Sequence, residues 1–180
     1  MKSIVFILIS TFSLFFTNTS AQNSKLNKQE LKTNVENQVS TIILIRHAEK
    51  SEFNTKDPSL SDAGIQRAIA LAKLFEDTPI SFFYATPYKR TIETITPIAK
   101  LNGKEVLSYN PADKNSVAEM IHSGKGKRMM IAGHSNTIPQ MVNMLIGKNQ
   151  FANMEESDYE KIWILIFKGN ELIDYSVLNY

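Results

Sequence analysis

Thr41-Ile42-Ile43-Leu44-Ile45-Arg46-His47-Ala48-Glu49-Lys50 is the stretch that decides the fold. Its first five residues are β-branched or apolar without a polar interruption, as a strand buried on both faces requires. The run stops abruptly at Arg46 and His47. A fully buried strand belongs to a largely parallel sheet covered by helices on both sides, and such sheets bind ligands beyond the carboxyl ends of their strands. The same ten residues therefore predict both an architecture and the location of a site.

Working outward, short β-branched runs alternate with helical patterns, which predicts an α/β domain, a three-layer α/β/α sandwich around a mostly parallel sheet. Ser61 reads as the N-cap of a helix carrying Ile65, Ala68, Ile69 and Ala72 on one face and ending near Asp77. A second strand is expected over residues 80 to 85. Thr86-Pro87 then reads as a cap with proline at the first helical position of a helix reaching Leu101. After a short strand near Val106, Ser116 and Glu119 are spaced for a capping box opening a helix to Ile121. Arg128 to Ala132 reads as the next strand, followed by Gly133-His134-Ser135-Asn136 and a helix closed by Gly147. Residues 161 to 167 and 172 to 177 read as strands joined through Gly169-Asn170, with at least one of them antiparallel.

The chain has 180 residues, 43% of them hydrophobic, enough for one domain with a core. A formal charge of +2 gives no field that would attract nucleic acid, so any anion site must be local. The absence of cysteine excludes disulfides, thiolate chemistry and cysteine-bound metal. Lys2, the apolar stretch from Ile4 to Phe16 and the small residues ending at Ala21 have the layout of a secretory signal. The expectation is a signal over residues 1 to 21, a polar linker over 22 to 40 and a domain over 41 to 180. Cleavage near Ala21 would leave a periplasmic or secreted protein without stable membrane association, the alternative being an uncleaved tether.

Three strand ends deliver Arg46-His47, the segment from Thr86 to Arg90, and Gly133-His134. In order along the chain stand Arg46-His47-Ala48, Leu60-Ser61-Asp62-Ala63-Gly64 with Gln66-Arg67-Ala68, the spaced set Thr86, Arg90 and Thr94, and Gly133-His134-Ser135-Asn136. These blocks resemble those of the histidine phosphatase superfamily, also called phosphoglycerate mutase-like, over nearly all of the chain after Thr41.

The resemblance implies that His47 is a nucleophile forming phosphohistidine, with Arg46, Arg90 and His134 binding the transferred phosphoryl group. The chemistry agrees, because guanidinium groups suit a spread negative charge and a covalent intermediate divides one displacement into two easier ones. No metal and no cofactor would be needed, and His122 reads as a solvent-exposed histidine outside the site. The proton donor to the leaving group is undecided: Asp113 and Glu49 are the candidates, each equally readable as a turn or surface residue. Asn54 and Asn136 are candidates for substrate binding, Asn54 being one position away from the family's asparagine. Phe53, Phe151 and Tyr159 either line the entrance or cover core.

The expected activity is hydrolysis of phosphomonoesters on a small phosphorylated substrate. A protein phosphohistidine phosphatase and a non-catalytic phosphate-binding module of the same fold are the alternatives. A phosphoglycerate mutase fits less well, because those relatives carry insertions that enclose the substrate.

Overall fold

The computed structural model describes residues 37 to 52 and 55 to 180. The expected signal segment and most of the polar linker lie outside the described residues, as do Phe53 and Asn54. From Gln38 to Tyr180 the chain is one compact unit. Its elements alternate as the sequence suggests: β1 (Val39–Arg46), α1 (Asp62–Leu74), β2 (Phe82–Ala85), α2 (Lys89–Leu101) and β3 (Val106–Ser108). There follow α3 (Lys114–Ser123), β4 (Arg128–Gly133), α4 (Thr137–Ile146), β5 (Lys161–Lys168) and β6 (Glu171–Asn179). The first strand begins two residues before the expected boundary, because Ser40 is buried and its hydroxyl accepts from Gly126 N at 2.8 Å.

The six strands form one sheet in the order β3-β2-β4-β1-β5-β6. β1 lies parallel to β4, and β2 lies parallel to both β4 and β3. β5 runs antiparallel to β1 and β6 antiparallel to β5, so β5 alone points against the other five strands. Alternation along β1 divides the core in two. Ile42 and Leu44 pack with Met120 of α3, Val142 of α4 and Trp163 of β5 on one face. Ile43 and Ile45 pack with Leu71 of α1 and Ile95 and Ile98 of α2 on the other. Helices thus cover both faces, giving the three layers expected, and the continuous apolar run of β1 is the direct consequence.

Two helix starts differ from expectation. Helix α2 begins at Lys89 with Tyr88 in the capping position, so Thr86 and Pro87 belong to the preceding turn. The Thr86 hydroxyl is engaged elsewhere, with Thr91 and His134. Helix α3 begins at Lys114, capped by Asp113, whose carboxylate accepts from Asn115 N at 2.9 Å. Ser116 lies inside that helix and its hydroxyl accepts from Asn110 N. α1 ends at Leu74, three residues short of Asp77, although its Ser61 cap is as expected, accepting from Gly64 N. Both antiparallel strands also extend a little beyond their expected limits.

Candidate active site

Register brings the two histidines together. Arg46 at the end of β1 stands opposite Gly133 at the end of β4, so His47 and His134 leave the sheet side by side. The next backbone hydrogen bond, His47 N to Gly133 O at 2.9 Å, extends the pairing past the strand end. Their ring centroids are 5.3 Å apart. Ala85 of β2 pairs with Ala132, which places Thr86 beside the same point, and its Oγ1 lies 2.9 Å from His134 Nε2.

Each ring is held by a specific partner. His47 Nδ1 lies 2.7 Å from Ala48 O, and a carbonyl can only accept, so Nδ1 carries the proton and Nε2 presents a lone pair. Ala48 N donates in turn to Thr94 Oγ1 at 2.9 Å, and the Thr94 hydroxyl donates to Arg90 O at 2.6 Å. The third residue of the spaced set Thr86, Arg90 and Thr94 therefore fixes the loop that orients His47. Thr86 donates to Thr91 Oγ1 at 3.1 Å, and Thr91 lies within bonding distance of the Thr86 and Tyr88 carbonyls. With its own proton committed, the Thr86 oxygen accepts from His134 Nε2.

Two arginines flank the histidines. Arg46 is 1% exposed, and its Nη1 donates to Glu155 O at 2.7 Å and Asp158 O at 3.0 Å. Its Nη2 lies 3.3 Å from the exposed Glu156 carboxylate, and its guanidinium carbon sits 4.1 Å from the Tyr159 ring centre. Arg90 projects from the first turn of α2, with Nη1 3.7 Å from Asp57 and its guanidinium carbon 4.6 Å from the Tyr88 ring centre. The Nε groups of both arginines are buried without an acceptor among the described residues. A buried guanidinium donor left unmatched is costly, and two such donors beside two histidines form a site for an anion.

Burial pushes the His47 imidazole down to about 3, and the Arg46 and Arg90 charges reinforce it against the opposing hydrogen bond that Nδ1 donates to Ala48 O. Burial, again helped by Arg90 and Arg46, holds His134 near 4. Both rings are therefore neutral in the free protein at physiological pH, the state in which His47 Nε2 can attack.

Glu49 does not serve as an available acid. Arg67 Nε lies 2.9 and 3.0 Å from its two oxygens. Burial acts to raise its pKa, but the hydrogen bonds and charge of Arg67 outweigh it, so the carboxylate stays ionised. Asp113, the other candidate, is exposed and spends its carboxylate on the α3 cap. Asn136 sits at the N-cap of α4 without a side-chain capping bond. His122 is exposed at the end of α3, outside the cluster. Phe151 packs against Trp163 and Tyr175 and so covers core. Tyr159 joins the site, its ring centre 6.1 Å from that of His47. Among the described residues no three His, Asp or Glu side chains converge as a metal site.

Tyr88, Asp57 and Glu156 escape a reading of sequence alone. Tyr88 had a usable signal, since it lies between Thr86 and Arg90. Glu156 is brought to Arg46 across 110 residues by the approach to β5, and no local pattern announces that.

Two glycines seat the site. A Cβ on Gly64 would lie 2.2 Å from Glu49 O, so α1 can press against the loop that follows His47 only with glycine there. One on Gly133 would meet Ile138 and Thr137 at 2.9 Å, where α4 starts.

Residues 42–110 match the family model of the histidine phosphatase superfamily (branch 1). No curated protein sequence matches the chain significantly. Among solved structures, mycobacterial glucosyl-3-phosphoglycerate phosphatase is similar at a TM-score of 0.60 and 12% identity, covering 79% of this chain and 99% of its own. Phosphoserine phosphatase from Entamoeba histolytica, solved with 3-phosphoglyceric acid, gives a TM-score of 0.58 at 18% identity, with 76% and 96% covered. Phosphoglycerate mutase from Bacillus anthracis gives 0.60 at 13% identity, with 82% and 95% covered. At these identities the structures speak for the fold, a phosphoglycerate mutase-like one, and the family match spans β1, α1, β2, α2 and β3.

Proposed function

We propose that the protein is a phosphatase that hydrolyses phosphomonoesters through a phosphohistidine on His47. The observation that carries this reading is the fixed tautomer of His47: Nδ1 is bound to Ala48 O, leaving Nε2 to act, and the ring feels the charges of two arginines whose buried Nε donors are unmatched. Arg46 and Arg90 bind the phosphoryl oxygens and stabilise the charge that spreads over them during transfer. His134, oriented by Thr86, is placed to join them. A bound dianion favours protonation of its second ring nitrogen, so the ring becomes a donor once substrate is present.

In the first step His47 Nε2 forms a bond to phosphorus as the ester P–O bond breaks and the electron pair leaves with the oxygen. Water then attacks phosphorus, the P–N bond breaks, the lone pair returns to Nε2, and orthophosphate and a proton are released. No metal enters either step. A phosphohistidine phosphatase is the second reading, favoured because neither Glu49 nor Asp113 is free to protonate a leaving group. We further propose that the N-terminal segment exports the protein to the periplasm or the medium.

Purified protein should hydrolyse p-nitrophenyl phosphate after exhaustive chelation, and vanadate should block it. Activity that returns only with added divalent metal would refute the mechanism.

A further inference from the structure

Two tyrosines flank the phosphoryl site in matching positions. The Tyr159 ring lies on the Arg46 guanidinium at 4.1 Å and 6.1 Å from the His47 ring. The Tyr88 ring lies on the Arg90 guanidinium at 4.6 Å and meets His134 edge-on at 5.1 Å. Neither belongs to the hydrophobic clusters on the faces of the sheet, and Tyr88 keeps 40% of its surface exposed. Two aromatic rings that are not core, each backed by an arginine and facing a catalytic-site histidine, form walls for whatever is attached to the phosphoryl group.

The carboxylates point the same way. Glu49 is held by Arg67, Asp113 caps α3, Asp57 pairs with Arg90 and Glu156 pairs with Arg46. None of these four is free to deliver a proton to a departing oxygen. A phenol, with a pKa of about 10 like that of the tyrosine side chain, leaves as phenolate without such help, whereas an aliphatic alkoxide is a far stronger base.

From these two observations, and resting on the phosphatase reading above, we propose that Tyr88 and Tyr159 form a leaving-group slot that selects aryl phosphates. The aryl ring stacks between or against the two tyrosines while His47 Nε2 bonds to phosphorus. The aryl P–O bond breaks, its electron pair departs on the phenolate oxygen, and that oxygen takes its proton from water.

The test compares binding of phenylphosphonate and methylphosphonate, uncleavable ligands with the same anionic head, by calorimetry on the full-length protein. The wild type should bind phenylphosphonate roughly tenfold more tightly, the size expected when aromatic stacking adds to apolar burial. Tyr159→Leu and Tyr88→Leu should each reduce that preference to about threefold or less, while Tyr159→Phe, which keeps the ring, should retain it. Equal weakening of both ligands in the leucine variants would mean that the tyrosines only hold the arginines, and would overturn the proposal. So would a wild type that does not distinguish the two ligands. If the preference behaves as expected but no phosphate ester is turned over, the slot stands and the phosphatase reading falls.

Discussion

Thr94 links the loop after His47 to a helix through one hydroxyl, accepting Ala48 N–H and donating to Arg90 O. Thr94→Val would leave a buried amide proton without its acceptor at the residue that orients His47. A cost of about 1–3 kcal/mol is expected in urea unfolding, with a fall in kcat that Thr94→Ser restores. The histidines make a second prediction. Their folded pKa values, about 3 and about 4, lie below the ordinary 6.5. Between those values and 6.5 the unfolded chain binds more protons, so the stability they contribute is whole above pH 6.5 and is lost as pH falls toward 3. Urea unfolding at pH 7 and pH 5 should show this loss, and a His47→Gln, His134→Gln variant should show less of it. The convergence of Arg46, His47, Arg90 and His134 was legible because each stands at a strand end or in the first turn of a helix. The pairing of Glu49 with Arg67 was not legible, because Arg67 sits on α1 and the contact depends on how that helix docks.

At the scale of elements, α1 and α2 carry the supports of the loop that follows His47. Ser61 N donates to Glu49 O at 2.9 Å, and Gly64 lets the helix approach that same carbonyl. Gly64→Ala should push α1 and residues 48 to 49 apart. The expected outcome is destabilisation of about 1–3 kcal/mol, read as a lower denaturation midpoint, with impaired turnover. The strands were legible because full burial leaves an unbroken apolar run. Helix starts were less so, since a cap signal is local while the hydroxyl that carries it can be claimed by a distant partner. Thr86 was claimed by His134, 48 residues away, and Asp113 outcompeted Ser116 at the start of α3.

At the scale of the whole molecule, the order β2-β4-β1 at the centre of the sheet gathers three loops at one edge, and that is where the proposed phosphoryl site lies. Residues 1 to 36 lie outside the described structure, so export rests on their sequence. Intact-mass analysis of protein recovered from the cell envelope or medium should show a chain beginning at Gln22, and a mature species beginning at Met1 would contradict it. Tyr159 was readable as a candidate for the entrance, but the hold of the Glu155 and Asp158 carbonyls on Arg46 was not, because residues without regular structure reach Arg46 only once β5 has paired with β1.

The central claim is that His47 becomes phosphorylated during turnover. Protein mixed with a phosphorus-labelled aryl phosphate and quenched in denaturant at alkaline pH, where phosphohistidine survives, should carry label on His47. That label should be released by acid and be absent from His47→Ala, whose turnover should fall by several orders of magnitude while vanadate binding persists. Label on another residue, or near-normal turnover by His47→Ala, would contradict the mechanism even though the fold stands.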